Sequence, residues 1–238
     1  MAERENTSGS KVRLYVALLV GAALGRLLVT RMGWHRPELI STNVRHLNYV
    51  LESNRLANSM LLWVIFSVYW AIASRNSAET SHSESSLSTV FHQVVLGGAM
   101  LLLFIPVPGL TGWFLPPSAH FLVALGAIIQ ASFLLLAVWA RRHLGRNWSA
   151  EVRIGVGHRL VRSGPYKFLR HPIYTAMLGM FLGTAIASSQ YHALLGVAIL
   201  VLAYLRKSHL EDQILAQAFC NEYQDYRRHT WALVPFVF

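Results

Sequence analysis

The chain has 238 residues, 54% of them apolar and only 13% charged, with a mean hydropathy of +0.39. An average soluble domain is about one quarter charged, so this composition excludes an ordinary water-facing surface, and its hydrophobicity excludes global disorder. The formal charge of +10, from 21 Lys and Arg against 11 Asp and Glu, is concentrated between apolar blocks. That pattern fits the cytoplasmic loops of an integral membrane protein and argues against nucleic acid as a partner.

The first apolar block runs from about Val12 to Thr30, with Lys11 and Arg13 at its start. No A-x-A cleavage pattern closes it, so it reads as a retained span and not as a signal peptide. Arg26 is placed to snorkel, and Gly21 and Gly25 form a G-x-x-x-G pair that permits close helix approach. The second block is Leu56 to Ala73, in which Trp63, Tyr69 and Trp70 are expected at a membrane interface. Ser74 to Ser88 reads as a solvated loop, and Thr89 to Pro106 as the third block. Residues 106–117, PVPGLTGWFLPP, contain four prolines, two glycines and no charge, and predict a tight turn against the membrane. Ala119 to Ala140 is the fourth block. Ile173 to Leu205 is too long for one span at about 1.5 Å per residue. Its Ser188-Ser189-Gln190 break predicts a hairpin of two short helices, with Gly179 and Gly183 letting the two pack closely. The expected fold is all-α, a polytopic membrane bundle of about five to six spans.

Orientation follows from charge. Residues 141–172 carry Arg141, Arg142, Arg146, Arg153, Arg159, Arg162, Lys167 and Arg170 against Glu151, and the tail adds Arg206, Lys207, Arg227 and Arg228. The hairpin puts both segments on one face, and the basic residues make that face cytoplasmic. The loop from Arg31 to Arg55 then falls on the other side despite Arg31, Arg36, Arg45 and Arg55; it lies flat on the interface, or the early spans number differently. The sequons at Asn6 and Asn147 fall on the cytoplasmic face and read as chance. Composition changes after Ala140, dividing the chain into N-terminal transmembrane helices, 1–140, and a chemistry-bearing region, 141–238.

Within that region, residues 158–174, HRLVRSGPYKFLRHPIY, are richest in functional groups. Gly164-Pro165 signals a turn, and Pro172 suits the first turn of a helix. Arg170 and His171 then lie at a helix N-terminus, where backbone N–H groups attract anions. The segment fits a ligand bearing a carboxylate or phosphate, or equally lipid head groups. Arg206 to Arg228 reads as an amphipathic helix, with Leu210, Ile214, Leu215, Ala218 and Phe219 at helical spacing. Glu211 and Asp212 in its first half suit a cationic or hydroxyl-rich ligand, or form a solvated surface pair. Cys220 is the single cysteine, and no H-E-x-x-H is present, so no zinc site is expected. A G-x-S-x-G elbow and a Rossmann G-x-G-x-x-G are also missing.

From Leu144 to Pro235 six ordered elements stand out. They begin with LGRNWS (144–149), His158-x-Leu160-Val161-x-x-Gly164-Pro165-Tyr166 and Arg170-His171-Pro172-x-Tyr174. They continue with Glu211-Asp212-x-x-Leu215 and Phe219-x-x-Glu222-Tyr223-x-x-Tyr226, and end at Pro235. In these the chain resembles the isoprenylcysteine carboxyl methyltransferase family of integral membrane enzymes. The resemblance implies S-adenosyl-L-methionine as methyl donor, bound on the cytoplasmic side. The implied pocket is His158, Arg159, Leu160, Val161, Tyr166, His171, Pro172, Ile173 and Tyr174, with an acid at Glu211 or Asp212. It also implies that Lys207 or Arg206 faces the methyl acceptor; with Arg170 these are the expected catalytic positions. The acceptor would be a lipophilic or small-molecule thiol or carboxylate reached from the lipid bilayer. Three departures are visible. The acidic pair is Glu-Asp and not Glu-Glu, Cys220 stands where the pattern has glycine, and the small residue after R-H-P-x-Y is displaced to Thr175-Ala176. Methyl transfer from a sulfonium depends chiefly on positioning and needs no metal. An NADPH-dependent sterol-type reductase shares the R-H-P-x-Y element, but its R-x-x-R-D-type tail is missing here. A non-enzymatic scaffold would explain the spans but not the ordered polar elements.

Overall fold

The computed structural model describes residues 42–75, 80–83, 86–105, 107, 109–110, 112–116, 119–145, 148, 153–155 and 160–235. The expected first span, Val12 to Thr30, lies outside them, as do Asn6 and Asn147. In chain order the elements are α1 (Thr42–Ala73), β1 (Thr80–Ser83), α2 (Ser86–Phe104), α3 (Phe121–Leu144), β2 (Arg153–Gly155), a 3₁₀ turn (Gly164–Lys167), α4 (Pro172–Ser188) and α5 (Tyr191–Arg228). Among the described residues four helices are long and apolar enough to cross a membrane: α1 through Leu56–Ala73, α2 through Leu87–Phe104, α3 and α5. The protein is an all-α membrane bundle apart from one short two-stranded ladder.

Composition explains α3 directly. It runs 24 residues without a charge until Arg141, Arg142 and His143 in its last turn, where cations favour a helix C-terminus. α1 begins at Thr42 and not at Leu56. No glycine or proline interrupts residues 42–55, so the helix persists past its apolar window to a length of about 48 Å. The second half of the expected 31–55 loop is therefore helix. The expected loop at 74–88 is also partly ordered: β1 pairs antiparallel with β2, Thr80 opposite Gly155 and Ser83 opposite Arg153. Runs of three and four residues are too short to show a strand period in the sequence.

The break in the fifth apolar region falls where the sequence places it. α4 ends at Ser188, Ser189 turns left-handed at φ 57°, and α5 starts at Tyr191. Main-chain bonds from Phe114 N to Ser189 O (3.0 Å) and from Tyr191 N to Gly112 O (3.1 Å) join this break to the proline-rich turn. The opposite end of the bundle carries the β-ladder, the basic loop and the tail. The second arm is not short, however, because α5 continues 38 residues into the tail.

Gly179 and Gly183 do not serve the hairpin as expected; they face α3. A Cβ at Gly183 would stand 2.6 Å from Gly126 O, and one at Gly126 would stand 2.4 Å from Gly183 O. A Cβ at Gly179 would meet the Phe133 ring at 2.1 Å. The obstruction at Gly183 is backbone, which cannot rotate away. Gly183→Ala should therefore cost about 1–3 kcal/mol through overpacking, read as a lower Tm in detergent; an unchanged Tm would show that α3 and α4 can separate.

Trp63 is also placed differently from expectation. It is 3% exposed, donates from Nε1 to Thr184 Oγ1 (3.0 Å), and packs edge-on against Phe181. A buried indole needs a partner for its N–H, and the α4 hydroxyl supplies one. Met180, Phe181, Leu200 and Leu103 complete this core, so α4 is the buried centre of the bundle.

Candidate functional site

The site forms where the N-terminus of α4 meets the middle of α5. Pro172 occupies the first turn of α4, and the chain before it is fixed by the C-terminal strap. Arg170 N donates to Trp231 O (2.8 Å), His171 N to Ala232 O (3.1 Å) and Trp231 N to Phe168 O (3.1 Å). Thr175 Oγ1 donates to Leu233 O (2.6 Å), and the Arg170 guanidinium to Thr230 O. These bonds turn both basic side chains toward α5.

There they meet two adjacent carboxylates. His171 Nε2 lies 2.7 Å from Asp212 Oδ1, and Nδ1 lies 3.2 Å from Glu211 Oε2. Arg170 Nε stands 3.4 Å from Asp212 Oδ2, and the Tyr223 hydroxyl donates to Asp212 Oδ1. Tyr174 stacks on the His171 ring at 5.4 Å with planes 10° apart, and its hydroxyl bonds Glu211. Burial works against charge on His171, but the hydrogen bonds and charges of Asp212 and Glu211 outweigh it and raise the imidazole to about 9. The ring is therefore an imidazolium at neutral pH, donating from both nitrogens.

Of the residues singled out from the sequence, Arg170, His171, Tyr174, Glu211 and Asp212 are in mutual contact here. His158 and Arg159 lie outside the described residues. Leu160, Val161 and Ile173 are half-buried, and Pro172 is buried. Tyr166 is buried in the 3₁₀ turn, with its carbonyl accepting from the Tyr226 hydroxyl (2.7 Å). Burial raises the Tyr166 phenol well above its ordinary range, so it stays a donor. Lys207 and Arg206 part company. Lys207 is 5% exposed and its charge bears on Glu211, whereas Arg206 is exposed, bonds Ser88 Oγ of α2 (2.5 Å) and lies over the Phe91 ring.

Tyr223 was not singled out as a site residue, and arithmetic on a straight helix shows why. It follows Asp212 by 11 residues, a rise of about 16 Å, too far for the two side chains to touch. Contact exists because α5 breaks at Cys220, which has φ 44° and ψ −120°. Arg162 secures the returning segment through Glu222 O and the carboxylates of Glu222 and Asp225. That backbone conformation favours glycine and strains an L side chain. The signal was the family glycine missing at this position. Cys220→Gly should raise stability by about 1 kcal/mol, measured as a higher Tm; a lower Tm would mean the bend carries no strain.

Residues 121–222 match the phospholipid methyltransferase family model. Protein-S-isoprenylcysteine O-methyltransferase B of Arabidopsis thaliana is 26% identical over 132 residues, 55% of this chain and 64% of that protein. A cobalt-zinc-cadmium resistance protein of Cupriavidus metallidurans is 39% identical over 95 residues, 39% of this chain and 43% of that protein. The chain thus spans less than two thirds of either relative. Protein-S-isoprenylcysteine O-methyltransferase A of Arabidopsis thaliana is 27% identical over 198 residues, 78% of this chain and 95% of that protein. The matched region begins with α3 and holds the basic loop, α4, and α5 as far as the two carboxylates and the bend. Residues 121–222, which carry this cluster, are thus similar to the phospholipid methyltransferase family model and to the protein-S-isoprenylcysteine O-methyltransferases.

Proposed function

We propose that the protein is an integral membrane methyltransferase that moves a methyl group from S-adenosyl-L-methionine to a lipophilic or small-molecule acceptor, with its basic loop facing the cytoplasm. The observation that carries this reading is the ion cluster of Arg170, His171, Glu211 and Asp212 at one end of an apolar bundle, within the region matched to a methyltransferase family.

The residues present fit such a donor. Asp212 is enclosed, with its side chain 9% exposed, whereas the Glu211 side chain is 29% exposed. Glu211 is therefore the carboxylate with room to accept from an amino group or ribose hydroxyls. Arg170, held by Thr230 O and facing Asp212 Oδ2 at 3.4 Å, keeps that carboxylate in place beside Glu211. The donor, when bound, supplies an electrophilic methyl on a cationic sulfur. The chain positions it: His171 and the Tyr174 hydroxyl fix Glu211, and Leu160, Val161 and Ile173 exclude water. Lys207, on the membrane side of Glu211, is the cation nearest an acceptor arriving from the bilayer.

Binding tests this reading. S-adenosylhomocysteine at about one hundred times its Kd should stabilise the detergent-purified protein by about 2.7 kcal/mol, whereas NADPH should not. His171→Ala and Tyr166→Ala should lose that stabilisation while keeping helical content. Stabilisation by NADPH alone, or by neither compound, would reject the proposal.

A further inference from the structure

Tyr223 is 1% exposed and is the largest fully buried side chain among the described residues. Its hydroxyl donates to Asp212 Oδ1, the same oxygen that lies 2.7 Å from His171 Nε2. The other oxygen, Oδ2, faces Arg170 Nε at 3.4 Å. One carboxylate of α5 therefore serves donors from two distant segments. Arg170 and His171 come from the chain before α4, and Tyr223 comes from the segment beyond the bend at Cys220.

That segment has anchors of its own, so the place of the hydroxyl does not depend on Asp212. Tyr226 donates to Tyr166 O (2.7 Å) and Leu169 O (3.4 Å), and its ring meets that of Tyr223 at 6.0 Å. Arg162 donates to Glu222 O and pairs with the carboxylates of Glu222 and Asp225. Residues three apart share a helix face, so Tyr223 and Tyr226 are buried together while Glu222, Gln224 and Asp225 stay exposed.

The hydroxyl bears on a ring held between two acids. His171 Nε2 is 2.7 Å from Asp212 and Nδ1 is 3.2 Å from Glu211, so the ring approaches one carboxylate only by leaving the other. Tyr223 occupies part of Oδ1 and stops Asp212 from turning toward the ring. Without it Asp212 draws the imidazolium closer, and the longer contact, to Glu211, is the one that gives way. Hydrogen bonds to an ionised oxygen are strong enough to set such a balance.

Resting on the methyltransferase reading above, we propose that Tyr223 is a positioning residue for the methyl donor. By holding Asp212 Oδ1 it fixes the tilt of His171 and, through Nδ1, the placement of Glu211, the carboxylate that receives the donor. Tyr223 itself makes no bond to the donor.

The test measures the affinity of the full chain for S-adenosylhomocysteine in lipid nanodiscs. Tyr223→Phe keeps the ring and loses only the hydroxyl. It should raise the Kd about tenfold, the lower end of what a hydrogen bond to a charged group carries, with helical content unchanged. The Glu211→Gln background supplies a readout that a packing role would not move. There Tyr223→Phe should change the Kd by less than about twofold, because the carboxylate it places is already gone, while the loss of Tm is the same in both backgrounds. A tenfold loss of affinity that persists in Glu211→Gln overturns the inference, as does an unchanged Kd in the single variant. If Tyr223→Phe does not fold, Arg162→Gln decides, since it loosens the returning segment from its exposed side. A severalfold higher Kd in that variant supports the positioning role, and an unchanged Kd overturns it. Failure of the parent to bind S-adenosylhomocysteine removes the methyltransferase reading as well, whereas tight binding by both parent and Tyr223→Phe removes this inference alone.

Discussion

Asp212→Ala should destabilise the protein by about 3–5 kcal/mol, the cost of removing one partner from a buried ion pair. Asp212 Oδ1 accepts from His171 and from Tyr223, and Oδ2 faces Arg170. Removing the carboxylate leaves an imidazolium, a guanidinium and a phenol without their common acceptor in a site that is mostly buried. It also frees the segment beyond Cys220, which returns to α5 through the Tyr223 bond. Unfolding in detergent should show the full loss, and Asp212→Asn a smaller one because the amide keeps one acceptor. A loss under about 1 kcal/mol for the alanine variant would mean that water replaces the carboxylate, as at an exposed pair.

The second large effect is on pH dependence. His171 is held at about 9 in the folded protein against 6.5 for the free side chain, a difference on the order of 3 kcal/mol. The folded state therefore binds the proton more tightly than the unfolded chain. The stabilisation is fully present below 6.5, declines between 6.5 and about 9, and is gone above that. The groups setting this window are Asp212 and Glu211 on α5, with Tyr174 stacked on the ring. Stability should fall across that interval in the wild type, and the slope should flatten in His171→Gln. Equal slopes in both proteins would place the imidazole in its neutral form throughout.

Much of the architecture was legible because lipid imposes length and apolarity on each span. α3 and the Ser188–Gln190 break followed from those two constraints. What escaped depended on contacts between distant segments. Gly179 and Gly183 announced a close approach but not its partner, since a small-residue stripe is silent about which helix lies against it. Trp63 resembled an interfacial residue because its bonding partner, Thr184, lies 121 residues away. Within the site, ordered motifs singled out Arg170, His171, Tyr174, Glu211 and Asp212, and the structure brings those side chains into contact. Tyr223 needed the bend at Cys220, which no apolar periodicity announced.

The C-terminal strap sets an order of events during biosynthesis. Arg170 and His171 emerge early, yet their main-chain partners at 231–232 and the Thr230 carbonyl arrive about 60 residues later. Until then the N-terminus of α4 has its helix but not the anchors that aim its cations at α5. The membrane spans can insert and pack while the chemistry-bearing end stays unassembled. A ribosome stalled before residue 230 would thus expose an inserted bundle whose Arg170–His171 end is not yet anchored, and the ion cluster would assemble only after residues 230–233 emerge.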